Sequence, residues 1–248
     1  MSTEIALPRP VATVVTAALL GCAAAAWLVT AQQAASRAGL GGMAMLGARL
    51  FLVTWVVMMV AMMFPAVTPT VLTHAGVVRS RGEGMVPTVA FVVGYLVVWM
   101  VPGLVPLGVI RLLGSSIPAP VDAWLPRLGG AVAVLAGAYQ LTPLKKACLR
   151  ACRSPLGFIQ SHDFGVGTPA AARTGISHGL QCLGSCWPLM AVLAVLGLMH
   201  LAWMAVFAAV FFLEKTWRHG IMLSQVAGAA CVILGLTVII RPDILNQL

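Results

Sequence analysis

The stretch His178-Gly-Leu-Gln-Cys182-Leu-Gly-Ser-Cys186-Trp-Pro-Leu-Met190 decides how the chain is read. It lies inside an apolar run long enough to cross a bilayer as a helix, which takes about 20 residues. Yet His178, Cys182, Cys186 and Met190 recur every fourth residue. On a helix such positions share one face, about 6 Å apart along the axis. Polar groups at membrane depth are costly and mark function. The run therefore predicts a membrane helix carrying a strip of soft metal ligands. Working outward, a second Cys-x-x-x-Cys pair, Cys148 and Cys152, precedes it. A methionine cluster, Met58, Met59, Met62 and Met63, precedes both.

The flanking chain fits that reading. Of 248 residues, 60% are hydrophobic and 8% charged, with a mean hydropathy of +1.00. A soluble domain carries about 25% charged residues, so the composition predicts an integral membrane protein. The runs lack the weak alternation of an outer-membrane barrel. The expected fold is all-α, a polytopic bundle in one domain over 1–248. About seven spans are expected, near 11–31, 43–73, 86–113, 125–142, 174–199, 201–217 and 220–240. Val29-Thr30-Ala31 resembles a signal-peptide cleavage site, but the run before it is as long as a full span. Pro65 and Pro69 should kink or end the second span, and Pro102 and Pro106 repeat that spacing in the third. A Ser- and Pro-rich loop is expected at about 114–124, and a long polar segment at about 143–173.

Seven spans put the termini on opposite sides. With the amino terminus inside, Arg9, Arg79, Arg81, Lys145, Lys146, Arg150, Arg153, Arg173, Lys215 and Arg218 are inner, and Arg37, Arg49, Arg111, Arg127 and Arg241 outer. The excess of basic residues inside assigns the amino terminus to the cytoplasm. The net charge of +9 is thus topogenic. It does not mark a nucleic-acid partner, because no basic soluble segment exists to bind one. In this topology Cys148, Cys152, His178, Cys182, Cys186, Met62, Met63 and Glu214 all fall at middle to inner depth.

Each constellation has a sharp and a bland reading. Thiolates bind copper(I), zinc and iron–sulfur clusters, and an i, i+4 pair can chelate one ion from a helix. Buried cysteine is also an ordinary small core residue, the natural reading of Cys22 and Cys231. His178 and Cys186 lie about 12 Å apart along a helix axis. They cannot share one ion beside Cys182 unless the helix breaks, which Gly179, Gly184 and Pro188 permit, or unless Cys182 bridges two ions. Cysteines on the cytoplasmic side stay reduced, which disfavours a structural disulfide. Met58 with Met62, and Met59 with Met63, share helix faces. Their thioethers suit copper(I), although flexible packing is the plainer role. Tyr139, Gln140, Thr142, Lys145 and Lys146 fit an interfacial belt, or a group in which Gln140 or Thr142 orients a ligand. Glu214 and Lys215 are neighbours that do not face each other. They read as an interfacial helix end, or as a salt bridge to another element. His74, His162, His200 and His219 sit beside loops as surface residues, with His74 and His162 better placed to escort an ion.

The pattern as a whole resembles the DUF2182 family of bacterial integral membrane proteins, described as predicted metal-binding. The resemblance rests on Met58-Met59-x-x-Met62-Met63-x-Pro65 and on Tyr139-Gln140-x-Thr142-Pro143-x-Lys145-x-x-Cys148-x-x-x-Cys152. It rests further on His178-Gly179, Cys182-x-x-x-Cys186-Trp187 and Glu214-Lys215. It favours metal over thiol redox and implies the bacterial inner membrane. The sequence thus points to a protein that binds a soft transition metal for transport, handling or delivery. Copper(I) is preferred over zinc or haem. Cys182, Cys186, Cys148 and Cys152 are the expected ligands, with Met59, Met62, Met63 and His178 completing the shell or forming an access path. Expected partners are the lipid bilayer and a metal donor or acceptor protein or membrane complex. The alternatives are a membrane thiol–disulfide oxidoreductase using both pairs and a non-catalytic membrane subunit. No motif for hydrolysis is present.

Overall fold

The computed structural model describes residues 7–36, 47–113, 125–162, 165–197 and 200–242. Among them are nine helices and no strand: α1 (Arg9–Ser36), α2 (Ala48–Ser80), α3 (Val86–Leu113), α4 (Leu125–Gln140), α5 (Pro143–Arg153), α6 (Pro155–Ser161), α7 (Thr168–Gly197), α8 (Leu201–Thr216) and α9 (Gly220–Ile240). Five of these, α1, α2, α3, α7 and α9, are long and apolar enough to cross a membrane. The other two expected spans, α4 and α8, have 16 residues each. At 1.5 Å per residue that is about 24 Å, short of a hydrocarbon core of about 30 Å. Large apolar side chains face outward along α3 and α9, among them Val93, Val97, Val101, Ile233 and Leu236. The expected 114–124 loop lies outside the described residues.

Of the two outcomes expected at the prolines, a kink or an end, the end does not occur, because α2 runs through Pro65 and Pro69 to Ser80. Both sides of this segment are packed, with Phe64, Ala66, Val67, Thr68, Thr70 and Val71 all buried, so tertiary contact outweighs two missing donors. The helix stops instead at Gly82, whose φ of 77° suits a residue without a Cβ. The expected polar segment after α4 contains two helices, α5 and α6. Thr142 caps α5, its Oγ1 accepting from the Lys145 N–H at 3.2 Å, and Pro143 fills the first turn, where no donor is needed. Lys145, Cys148, Leu149 and Cys152 then recur at three and four, so one face of α5 turns inward. Lys145, Leu149 and Cys152 are buried there.

Close helix packing positions the interior. A Cβ at Gly94 would run into the backbone of Ala172, and one at Gly175 into the backbone of Phe91. Small residues thus let α3 and α7 approach backbone to backbone. Farther along the same seam Gly179 meets Val98 and Tyr95. Trp55 of α2 donates Nε1–H to the Trp99 carbonyl at 2.8 Å, which pins α2 to α3. The resulting core includes Met58, Met59, Met62, Met63, Tyr95, Cys152, Cys182 and Cys186 in one contiguous cluster.

Candidate functional site

The stripe on α7 points inward as its spacing demands. His178, Cys182, Cys186 and Met190 are all buried, whereas Leu180 and Trp187 face outward. The helix does not break at Gly179 or Gly184, so His178 and Cys186 cannot ligate one ion together. Pro188 nevertheless leaves a mark. It supplies no N–H to the carbonyl four residues back, and that freed Gly184 carbonyl accepts the Tyr139 hydroxyl at 2.8 Å. The next carbonyl, of Ser185, accepts from Lys145 Nζ.

Cys182 is the hub. Lys215 Nζ donates to its sulfur at 2.8 Å, and Tyr95 Oη lies 3.2 Å from it. Cys152 of α5 and Cys186 interact with the same thiol. Ser185 Oγ donates to the Cys182 carbonyl at 2.8 Å and sits 3.4 Å from Cys186 Sγ. Three sulfurs from two helices therefore meet in the interior, within the same core cluster as four buried thioethers of α2. Cys148 stands at the rim, half-buried. It packs on Gly184, where a Cβ would come within 2.8 Å of its sulfur. All six cysteines are free thiols. Burial raises the Cys148 thiol above its ordinary value, partly offset by Lys145. Cys152 is drawn the other way, chiefly by its hydrogen bond with Cys182 and also by Lys215, against the opposing effect of burial.

The charges beside the sulfurs are inside the protein. Lys145 and Glu214 are both 0% exposed and pair at 2.8 Å. Lys215 is also buried, so the last turn of α8 turns its charges inward. Arg153 closes the end of α8, donating to the carbonyls of Glu214 at 2.5 Å and Arg218 at 3.2 Å. Adjacent on α8, Glu214 and Lys215 diverge as neighbours on a helix must, one to α5 and one to α7. The expected salt bridge of Glu214 to another element is present. The sequence offered no sign that Lys145 was its partner, 69 residues away. Gln140 is buried as well and meets Ser224 Oγ at 3.5 Å.

A ring column reaches the sulfurs. His162 stacks on Phe158 with centroids 4.5 Å apart, and Phe158 meets His178 edge-on at 4.9 Å. His178 sits one turn from Cys182 and is 2% exposed, and its Nδ1 has no hydrogen-bond partner. On its other side Phe91 separates it from His74, itself buried against the Phe91 ring at 4.6 Å. His74 is therefore an interior residue, not the surface one expected, whereas His200 and His219 are exposed.

Among the described residues, no group of three or more His, Cys, Asp and Glu side chains is arranged to hold a metal ion as it stands. The sulfurs are gathered, and the cation among them is the Lys215 ammonium. A protein-family model described as a copper chaperone, PpoB2, matches residues 52–238, more than half of the chain. No curated protein and no solved structure matches it.

Proposed function

The chain belongs to the PpoB2 copper chaperone family, and from that premise we propose that it is an integral membrane protein that receives copper(I), holds it on sulfur and passes it to an acceptor protein. The observation that carries the reading is the meeting of Cys152, Cys182 and Cys186 in an apolar core that also holds Met58, Met59, Met62 and Met63. Thiolates and thioethers are soft donors that favour copper(I), whereas magnesium or calcium would call for oxygen. Cys182, Cys186 and Cys152 hold the ion, with Cys148 as the rim thiol that takes or gives it. Met59, Met62 and Met63 supply thioethers from α2. His178 is too far along α7 to share the ion with Cys186. It serves instead as the last station of an access path that begins at His162, and its unfilled Nδ1 is the group that would meet the cargo. The chain crosses the bacterial inner membrane seven times with its amino terminus in the cytoplasm, so that α5 and α6 stand at the cytoplasmic mouth of the path.

The test is elemental analysis of purified protein loaded anaerobically with copper(I), wild type against Cys182→Ser plus Cys186→Ser. Wild type should retain roughly one ion per chain, as a single sulfur site implies, and the double variant close to none. Equal occupancy in the two would remove the proposal.

A further inference from the structure

Lys215 sits where a cation would sit. Its ammonium donates to Cys182 Sγ at 2.8 Å, and Cys186, Cys152 and Tyr95 are the other groups acting on it electrostatically. A buried ammonium needs a partner, because an isolated charge in an apolar interior is costly. The usual partner would be a carboxylate, and Glu214 is the adjacent residue. Yet Glu214 gives Oε2 to Lys145, and its Oε1 is buried without a hydrogen-bond partner. The lysine is therefore committed to sulfur while an acceptor one residue away stands unfilled.

We propose that Lys215 is a tethered exchange cation. Its ammonium holds the sulfur cluster in the copper-free protein, withdraws when copper(I) binds, and returns as copper(I) leaves for its acceptor. The inference rests on the copper reading above. The two cations carry the same single charge. On loading, the ammonium–sulfur hydrogen bond breaks, each thiol that ligates copper gives up its S–H proton to solvent, and copper–sulfur bonds form; on delivery, those bonds break as the acceptor's ligands bind copper, the freed thiolates take protons back from solvent, and the hydrogen bond is remade. Copper remains in the +1 state throughout, and no electron moves. The withdrawn ammonium stays within electrostatic reach of the Glu214 carboxylate. Lys145 keeps Glu214 oriented and is the other cation facing this region, from α5. Arg153 grips only backbone carbonyls near it.

This assigns Lys215 to release and not to capacity. Purified protein in detergent is loaded with copper(I), and its loss to bathocuproine disulfonate is followed over time. Lys215→Leu, which removes the cation without adding a soft donor, should load to the same stoichiometry as wild type but release copper at least tenfold more slowly. Lys215→Arg, which keeps a cation, should release within a few-fold of wild type. Release from Lys215→Leu at the wild-type rate or faster overturns the proposal. A second readout covers a variant that does not fold. The chain has three lysines, Lys145, Lys146 and Lys215, so lysine-selective 15N labelling gives three Nζ signals. Loading wild type with copper(I), or with redox-inert silver(I), should move the Lys215 signal and leave Lys146 in place. A Lys215 signal unchanged in the loaded protein also overturns the proposal. If wild type binds no more copper(I) than Cys182→Ser plus Cys186→Ser, the copper reading fails and takes this one with it. If wild type alone loads, only the role of Lys215 is on trial.

Discussion

Removing one partner of a fully buried ion pair leaves the other bare, and this makes Lys145 and Glu214 unequal to ordinary surface charges. Lys145→Met should cost about 3–5 kcal/mol of stability, whereas Lys145→Met with Glu214→Leu should recover most of that loss, because well-packed apolar residues often replace a buried pair at little cost. Unfolding of wild type, both single variants and the double variant in detergent, arranged as a double-mutant cycle, checks this. Additive losses would show that the pair is not coupled. Cys148 offers a second residue-scale prediction. Burial raises its thiol, so the thiolate fills in only as pH climbs past the ordinary cysteine range. Its alkylation by iodoacetamide should be slow near neutrality and still be rising at a pH where an exposed thiol has levelled off. A plateau at the pH of a free cysteine would contradict it. Residue spacing alone exposed the inward strip of His178, Cys182, Cys186 and Met190. It could not expose the burial of Lys145, because that depends on a carboxylate arriving from a helix far along the chain.

At the scale of elements, the seam between α3 and α7 sets the distance from Tyr95 to Cys182. Gly175 faces the Phe91 backbone, with no flexible side chain to give way. Gly175→Leu should therefore push the two helices apart, cost about 1–3 kcal/mol as overpacking does, and weaken copper(I) retention with every sulfur still present. Thermal unfolding and chelator competition on the same variant measure both. Retention equal to wild type would mean that the seam does not hold the cluster. The long helices were legible as apolar runs. α5 was not, because PLKKACLRACR contains four basic residues in eleven and stands out as polar until its buried face is drawn. The prolines of α2 left a kink or an end open, and the helix does not end there, since local propensity takes no account of neighbours packed around Phe64 to Val71.

For the whole molecule, the all-helical architecture followed from composition, while the number of crossings did not, because α4 and α8 are only 16 residues long. Hydropathy measures a segment against lipid. It says nothing of helices sheltered by others, as α8 is on its buried side by Met204, Phe207 and Phe211. Seven crossings would put the two termini on opposite faces. Paired reporters at the amino and carboxyl ends, one active only in the cytoplasm and the other only outside it, should therefore give opposite results for the two ends, with the cytoplasmic signal at the amino end. Like signals at both ends would require an even number of crossings. The lateral meeting of the sulfurs was not readable, because it depends on how α5 folds back against α7.

The buried charges also bear on how the chain is made. Lys145, Arg153, Cys182 and Ser185 all leave the ribosome before Glu214 and Lys215, so the groups that receive the end of α8 are synthesised ahead of it. A nascent chain halted after α7 would hold Lys145 inside with no carboxylate to answer it. Such a product should be a quality-control substrate, recognised by a stranded cation and cleared before it can sequester copper.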